Sequence, residues 1–231
     1  MEERKELEDK LGYQFKKPSY LDQALTHKSF ANENNLQNNE RFEFMGDAVL
    51  QFVISEYLMI HYPDLTEGMM SKFRAVLVSE KGLNIIAKQI DLGKYIHIGK
   101  GEATTGGRGK KSILADTLEA VFASVYLDSQ KEHGISKVKE MILRLFDEEF
   151  KKSEKTFSKT DFKTDLQELV QKQNLGEIQY RVIEEFGPDH DKEFVSTVFV
   201  DEKELGTGRG KSKKISEKAA AMIAIKTLNQ T

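Results

Sequence analysis

Apolar residues recur at spacings of three and four through the first two thirds of the chain, at Leu50, Val53, Ile54, Tyr57 and Leu58 and again at Ile113, Leu114, Leu118, Val121 and Phe122. That is the period of amphipathic helices. With only three prolines in the chain, long helices are free to form, and residues 1–150 are expected to be all-α. Residues 151–160, KKSEKTFSKT, are polar and basic with little to bury, and read as a linker. Beyond them the period changes. A helix over about residues 163–173 turns Leu166, Leu169 and Val170 inward, and strand-like runs follow at IQYRVIEEF, at EFVSTVFV and in a short piece around Leu205. The last helix runs from about Ser212 to Leu228. The expected architecture is multidomain, an all-α unit followed by a small α+β unit of order α-β-β-β-α over residues 161–231.

Charge and composition then narrow the function. The 231 residues carry 35 basic and 38 acidic side chains, a net of -3. Any nucleic-acid binding must therefore rest on a local positive patch, because the molecule as a whole offers phosphates no excess. No cysteine is present, which excludes disulfide scaffolds, thiolate zinc sites and cysteine nucleophiles. The first ten residues contain no apolar run and no stretch of about 18 apolar residues occurs anywhere, so neither a secretory signal nor a membrane span is expected. A cytoplasmic location follows as the expectation.

The segment NERFEFMGDA, residues 39–48, is unusual for its acids. At about 100° per residue, Glu40, Glu43 and Asp47 form one stripe of a helix, while Phe42, Met45, Val49 and Phe52 are expected on the opposite, buried side. Such a stripe is either a solvated acidic face or the rim of a cation site. Like charges at three- and four-residue spacings repel unless a cation lies between them, and almost no Lys is present here to compensate. A second pair, Asp116 and Glu119, sits inside SILADTLEA, an otherwise apolar helix with no Lys or Arg from Ser112 to Ser124. Carboxylates in such a setting need a partner, either a metal ion or an Arg from elsewhere. Hard divalent cations such as Mg²⁺ take carboxylate oxygens together with water and phosphate.

Two glycine-rich segments, GGRGKKS at residues 106–112 and GTGRGKS at residues 206–212, look like phosphate loops, yet neither obeys G-x-x-x-x-G-K-[ST]. The five histidines are scattered and no G-x-S-x-G nucleophile elbow occurs. Nucleotide hydrolysis, histidine-metal hydrolysis and serine hydrolysis all lose ground. Between Arg209 and Lys218, by contrast, five basic residues face one acid. Lys213 and Lys214 fall in the first turn of a helix, where lysine opposes the macrodipole, so the helix itself does not call for them. A phosphate would, and Ser212 as N-cap exposes backbone N–H groups at the same spot.

With these residues in view, the chain resembles bacterial ribonuclease III over essentially its full length. NERFEFMGDA is similar to that family's signature segment, and LTHKSF (residues 25–30), EGMMSKFRA (67–75) and SILADTLEA (112–120) follow in the family's order. TDLQELVQ (164–171), GPDHDKEF (187–194) and SKKISEKAAA (212–221) are similar to a double-stranded RNA-binding domain, with Ser216 where Ala is frequent.

The resemblance implies a Mg²⁺ site, with Mn²⁺ as a possible substitute, from Glu43, Asp47, Asp116 and Glu119, and with Glu40 and Glu67 supporting the centre or its dimer contact. It implies hydrolysis of double-stranded RNA to 5′-phosphate and 3′-hydroxyl ends with short 3′ overhangs, processing of ribosomal RNA precursors and other structured transcripts, and a homodimer formed through the helical domain. In the second unit it places Thr164, Gln167, Glu168 and Gln171 in one minor groove and His190 in the next. Lys211, Ser212, Lys213 and Lys214 then face the phosphates between. Arg108 and Lys111 are expected to bring the scissile strand to the metals. The alternative from another class is a double-stranded RNA-binding regulator whose helical half merely dimerises, and the complete carboxylate set argues against it.

Overall fold

The structure, a computed structural model, describes residues 2–229 apart from 64, 66, 158–161 and 188–191, and the side chains of 153–157 are left aside. The helices of the first part are α1 (Glu2–Leu11), α2 (Pro18–Ala24), α3 (Lys28–Asn34), α4 (Glu40–His61), α5 (Glu67–Leu77), α6 (Glu80–Gln89), α7 (Lys100–Thr104), α8 (Lys111–His133) and α9 (Ser136–Phe157). The second part is α10 (Phe162–Lys172), β1 (Ile178–Phe186), β2 (Glu193–Val200), β3 (Lys203–Gly210) and α11 (Lys213–Asn229). The chain divides into two compact units, Met1–Lys155 and Thr156–Thr231.

Helix α8 is apolar on nearly every side and is the axis of the first unit. Leu118, Ala120, Val121, Phe122, Ala123 and Val125 are fully buried, and α2, α4 and α6 pack against it. A helix hydrophobic all round needs neighbours all round. Along α4, Phe42, Val49, Leu50, Val53, Ile54 and Leu58 face inward. Four large apolar residues do not: Phe44 is 81% exposed and Phe52 53% exposed, and Met59 and Ile60 are exposed as well. The expectation that Phe52 lies in the core is thereby corrected, because the neighbours of α4 cover only part of its circumference and leave the stripe through Phe44, Phe52 and Met59 open.

The polar stretch expected to start a linker at residue 151 instead continues α9 to Phe157. Lys151 bonds Asp147 at 2.6 Å and Glu148 at 3.2 Å. Ion pairs one turn apart support a helix where its side chains are exposed, as those of Lys151 and Lys152 are, so polarity alone did not mark the helix end.

In the second unit the strands form one antiparallel sheet, β1-β2-β3, with Ile178 opposite Val200 and Phe194 opposite Gly210. Helix α11 packs across β2 and β3 with α10 beside it. The glycines that resembled a phosphate loop belong to β3. A Cβ on Gly206, Gly208 or Gly210 would come within 2.7, 2.2 and 2.5 Å of atoms of α11, so alternate glycines let helix and strand approach closely. Ser216 is buried here, and its hydroxyl meets that of Ser196 at 2.6 Å. Each hydroxyl satisfies the other, which makes Ser tolerable at a position where an apolar residue would also fit.

Candidate active site and nucleic-acid interface

The acidic residues meet because α4 and α8 cross at a glycine. Gly46 is buried, and a Cβ added there would stand 1.9 Å from the backbone oxygen of Glu119. Any side chain at this point would hold the helices apart. The start of α4 is fixed from the other side by LTHKSF, where the Asn39 N–H donates to the Thr26 carbonyl at 3.0 Å and the His97 N–H donates to that of Leu25 at 2.9 Å. His27 caps α3 by accepting from the Ser29 N–H through Nδ1 at 3.2 Å. Lys28, next in sequence, reaches Glu40 with Nζ 3.6 Å from Oε1.

Glu43, Asp116 and Glu119 each bring one carboxylate oxygen to within 4.8 Å of the others. Asp47, the fourth expected ligand, stands at the margin: its Oδ1 accepts from Gln51 Nε2 at 3.0 Å, although its charge acts on Glu119. Glu40 accepts from Asn38 Nδ2 at 3.0 Å, and Glu67, exposed at the first turn of α5, accepts from the Ser71 hydroxyl at 2.7 Å. Neither belongs to the cluster of three.

Burial raises the Glu119 carboxyl most, and the charges of Asp47, Asp116 and Glu43 add to it, pushing its pKa up to about 8. Glu43 is raised by burial and then by Asp116 and Glu40, with Lys28 opposing. Asp116 is raised by burial and then by Glu80, with Lys28 and His27 opposing. Among the described residues no Lys or Arg forms an ion pair with Glu43, Asp47, Asp116 or Glu119. A cluster of oxygen donors short of positive charge fits a hard divalent cation. Glu80 and Lys28 were not singled out from sequence as parts of this site. Only the packing of α6 on α8 and of the LTHKSF strap on α4 brings them near.

A pH dependence follows with a definite sign. The folded-state pKa of Glu119 lies above its ordinary 4.5, so its contribution to stability is fully present below about pH 4.5 and is lost as pH rises through about 8. Thermal unfolding of metal-free protein should show a larger loss between about pH 5.5 and 8.5 for the parent than for Glu119→Gln. Mg²⁺ at the higher pH should restore the parent and not the variant. Equal pH slopes would place the charge strain elsewhere.

Arg108 is exposed, and one nitrogen of its guanidinium is engaged by the backbone. Its Nη1 donates to the carbonyls of Gly93 (3.2 Å), Lys94 (3.2 Å) and Ile96 (2.5 Å). A guanidinium nitrogen holding three backbone carbonyls fastens the loop over residues 93–96. Lys111 is exposed at the first position of α8.

In the second unit, Thr164, Gln167, Glu168 and Gln171 are exposed along α10, where Leu166 and Val170 turn inward. Gln167 and Gln171 line a groove with Lys163, Asn174 and Tyr180. His190 lies outside the described residues. The Ser212 hydroxyl accepts from the Ile215 N–H at 3.3 Å, so the expected cap is formed. Lys211, Lys213 and Lys214 are exposed at this end of α11. Two of them have partners that sequence reasoning missed: Lys213 Nζ is 3.0 Å from Glu185 Oε1, and Lys211 Nζ is 3.1 Å from Glu193 Oε1.

Comparison with known proteins agrees with this division. Residues 17–146 match the ribonuclease-III-like family and residues 162–228 match the double-stranded RNA binding motif. The chain is 49% identical over 224 residues to the Ribonuclease 3 of Caldanaerobacter subterraneus subsp. tengcongensis, covering 96% of each chain. It is 42% identical over 230 residues to that of Aliarcobacter butzleri, covering 100% of each. Among solved structures, the nuclease domain of ribonuclease III from Campylobacter jejuni aligns with a TM-score of 0.59 at 42% identity, over 65% of this chain and 97% of that one. A second structure of that domain, described by flexibility in a region involved in dimer formation, aligns with a TM-score of 0.58 at 43% identity over 62% and 95%. The carboxylate cluster and the separate α-β-β-β-α unit thus coincide with the two family matches, and the chain belongs to the ribonuclease III family of endoribonucleases.

Proposed function

We propose that this protein hydrolyses double-stranded RNA as a Mg²⁺-dependent homodimer, leaving 5′-phosphate and 3′-hydroxyl ends with short 3′ overhangs. The observation that carries the reading is the convergence of Glu43, Asp116 and Glu119 at the Gly46 crossing, with no Lys or Arg ion-paired to them among the described residues. These three would hold the ion, with Asp47 completing the set and Glu40 and Glu67 as supports. Mg²⁺, or Mn²⁺ in its place, would activate water and stabilise the leaving oxygen of an in-line displacement. The residues of the chain fix the donors in place and set their charge, and Glu119, whose carboxyl is raised most, holds its proton most tightly without a cation and is the donor whose protonation a bound cation would change most.

The α10 residues Thr164, Gln167, Glu168 and Gln171, together with His190, are proposed to read the minor groove. Lys211, Lys213 and Lys214 are proposed to meet phosphate, and Lys111 to approach the scissile strand. Such modules read A-form shape over about 16 base pairs with little base sequence. The exposed stripe through Phe44, Phe52 and Met59 supports the dimer, because contiguous apolar surface of this kind marks protein interfaces. Two subunits related by a twofold axis suit a duplex of antiparallel strands. Among the described residues no helix is long and apolar enough to cross a membrane, and a cytoplasmic place of action on ribosomal RNA precursors and other structured transcripts completes the reading. Sedimentation of the intact protein, beside mapping of the ends it leaves on a defined duplex, tests it. A monomer that cuts, or products with 3′-phosphates, would overturn it.

Changing Lys211, Lys213 and Lys214 to Ala should weaken binding to all duplexes alike. Each lost phosphate contact should lower the slope of log K against log salt by somewhat under about one unit. A salt titration in EDTA checks this, and an unchanged slope would place the phosphate backbone elsewhere.

A further inference from the structure

The lysines assigned to phosphate are exposed, yet two are held by carboxylates of their own unit. Glu185 and Glu193 stand at the same end of the β1–β2 pair, Glu185 opposite Phe194 and Glu193 opposite Phe186. Lys213 lies with Nζ 3.0 Å from Glu185 and over the ring of Phe194 at 5.7 Å. Glu185 also faces Lys192 at 3.5 Å, and Lys211 is 3.1 Å from Glu193. The ammonium of Lys213 holds the Glu185 carboxyl below the usual carboxylate range. Both carboxylates are about a third exposed, 35% and 36%, so water reaches them.

These pairs are not what starts α11, because Ser212 caps it. Surface pairs of hydrated side chains contribute little to stability. Their weight falls on binding. A phosphate approaching Lys213 meets an ammonium with a carboxylate beside it, and the attraction to one is reduced by repulsion from the other. Over residues 161–231 the same unit carries 13 acidic against 11 basic side chains, an odd composition for a module whose ligand is a polyanion.

We infer that Glu185 and Glu193 are built-in competitors of the RNA backbone, occupying Lys213 and Lys211 in the free protein and remaining beside them as negative charges when a phosphate arrives. The inference rests on the assignment of those lysines to RNA under the proposed function. Its consequence is discrimination. Phosphate contacts alone become too weak to hold a polyanion, and an A-form duplex binds because α10 adds groove contacts that single-stranded RNA and B-form DNA cannot match.

The test uses the intact protein in EDTA, with a long RNA duplex, single-stranded RNA of the same sequence and a DNA duplex, each across a salt series. Glu185→Gln with Glu193→Gln should bind the RNA duplex about tenfold tighter, with a steeper slope of log K against log salt, the gain per lysine staying below the about 0.7 to 0.9 of a whole phosphate contact because each lysine already makes part of that contact in the parent. Affinity for the other two ligands should rise by a larger factor, narrowing the discrimination. Glu185→Gln alone should show about half the change in slope, and thermal unfolding checks that each variant remains folded. Unchanged or weaker duplex binding at an unchanged slope would overturn the inference and make the pairs positioning contacts. Lys211→Ala with Lys213→Ala separates the two layers. If that variant loses no affinity and no slope, the assignment of the lysines to RNA fails, and the competition fails with it.

Discussion

Replacing Glu119 with Gln should reduce cleavage of duplex RNA by about 10³-fold or more, while the protein still binds the duplex as tightly as the parent or tighter. Loss of a cation-holding carboxylate removes several kcal/mol of transition-state charge stabilisation, and each ~1.4 kcal/mol is about tenfold in rate. Binding is spared because the lysines and the α10 groove belong to the other unit. A neutral amide in place of a carboxylate beside a polyanion also removes a repulsion. Gln preserves the packing around Glu119, so a fall in cleavage cannot be read as unfolding if the variant melts as the parent does. A mobility-shift assay and a cleavage assay on one preparation decide the matter. If binding and cleavage fell together, Glu119 would be a structural residue and the site assignment wrong.

The second large effect is expected at Gly46. A methyl group there would sit 1.9 Å from a backbone oxygen of α8, and backbone cannot rotate aside as a side chain can. The helices must part. Overpacking against backbone falls at the upper end of the usual range, about 3 kcal/mol, which for a domain of this size lowers Tm by roughly 6 to 12 °C. Gly46→Ala should therefore melt early, and because separation of α4 from α8 draws Glu43 away from Asp116 and Glu119, it should lose Mg²⁺ stabilisation as well. Gly68→Ala is the control, since nothing lies within 4 Å of a Cβ there, and stability should change by less than about 1 kcal/mol. Differential scanning with and without Mg²⁺ measures both, and a Gly46→Ala protein that melts and responds to Mg²⁺ as the parent does would show that the crossing is not what assembles the cluster.

The parts of this fold and site that were legible in the sequence are those governed by local period. Glu43, Asp116 and Glu119 could be named because each lies at a fixed angle on a helix whose apolar positions repeat every three or four residues. That they face one another could not, and neither could the nearness of Glu80 and Lys28, because both follow from which helix packs on which. Phe52 sits on the apolar arc of α4 by periodicity yet is 53% exposed. Periodicity shows which face is apolar, and only tertiary structure shows whether a neighbour covers it. The continuation of α9 past residue 150 carries no apolar period to mark it, and Lys151, exposed, is tied to the preceding turn by ion pairs. The length of β3 escaped because its glycines read as a loop when their role is to admit α11. The position of Arg108 before an acidic helix pointed to RNA, and the three carbonyls that its Nη1 holds could not be read from the sequence because they depend on how the loop over residues 93–96 packs.

The measurement closest to the central claim is the fate of a long RNA duplex incubated with the intact protein in Mg²⁺ and, in parallel, in EDTA. The account predicts that the duplex is cut to short fragments bearing 5′-phosphates in Mg²⁺ and is bound but left whole in EDTA. Duplex that remains whole in both Mg²⁺ and Mn²⁺ while tightly bound would contradict it, and would make the protein a binding regulator whose carboxylates serve another end.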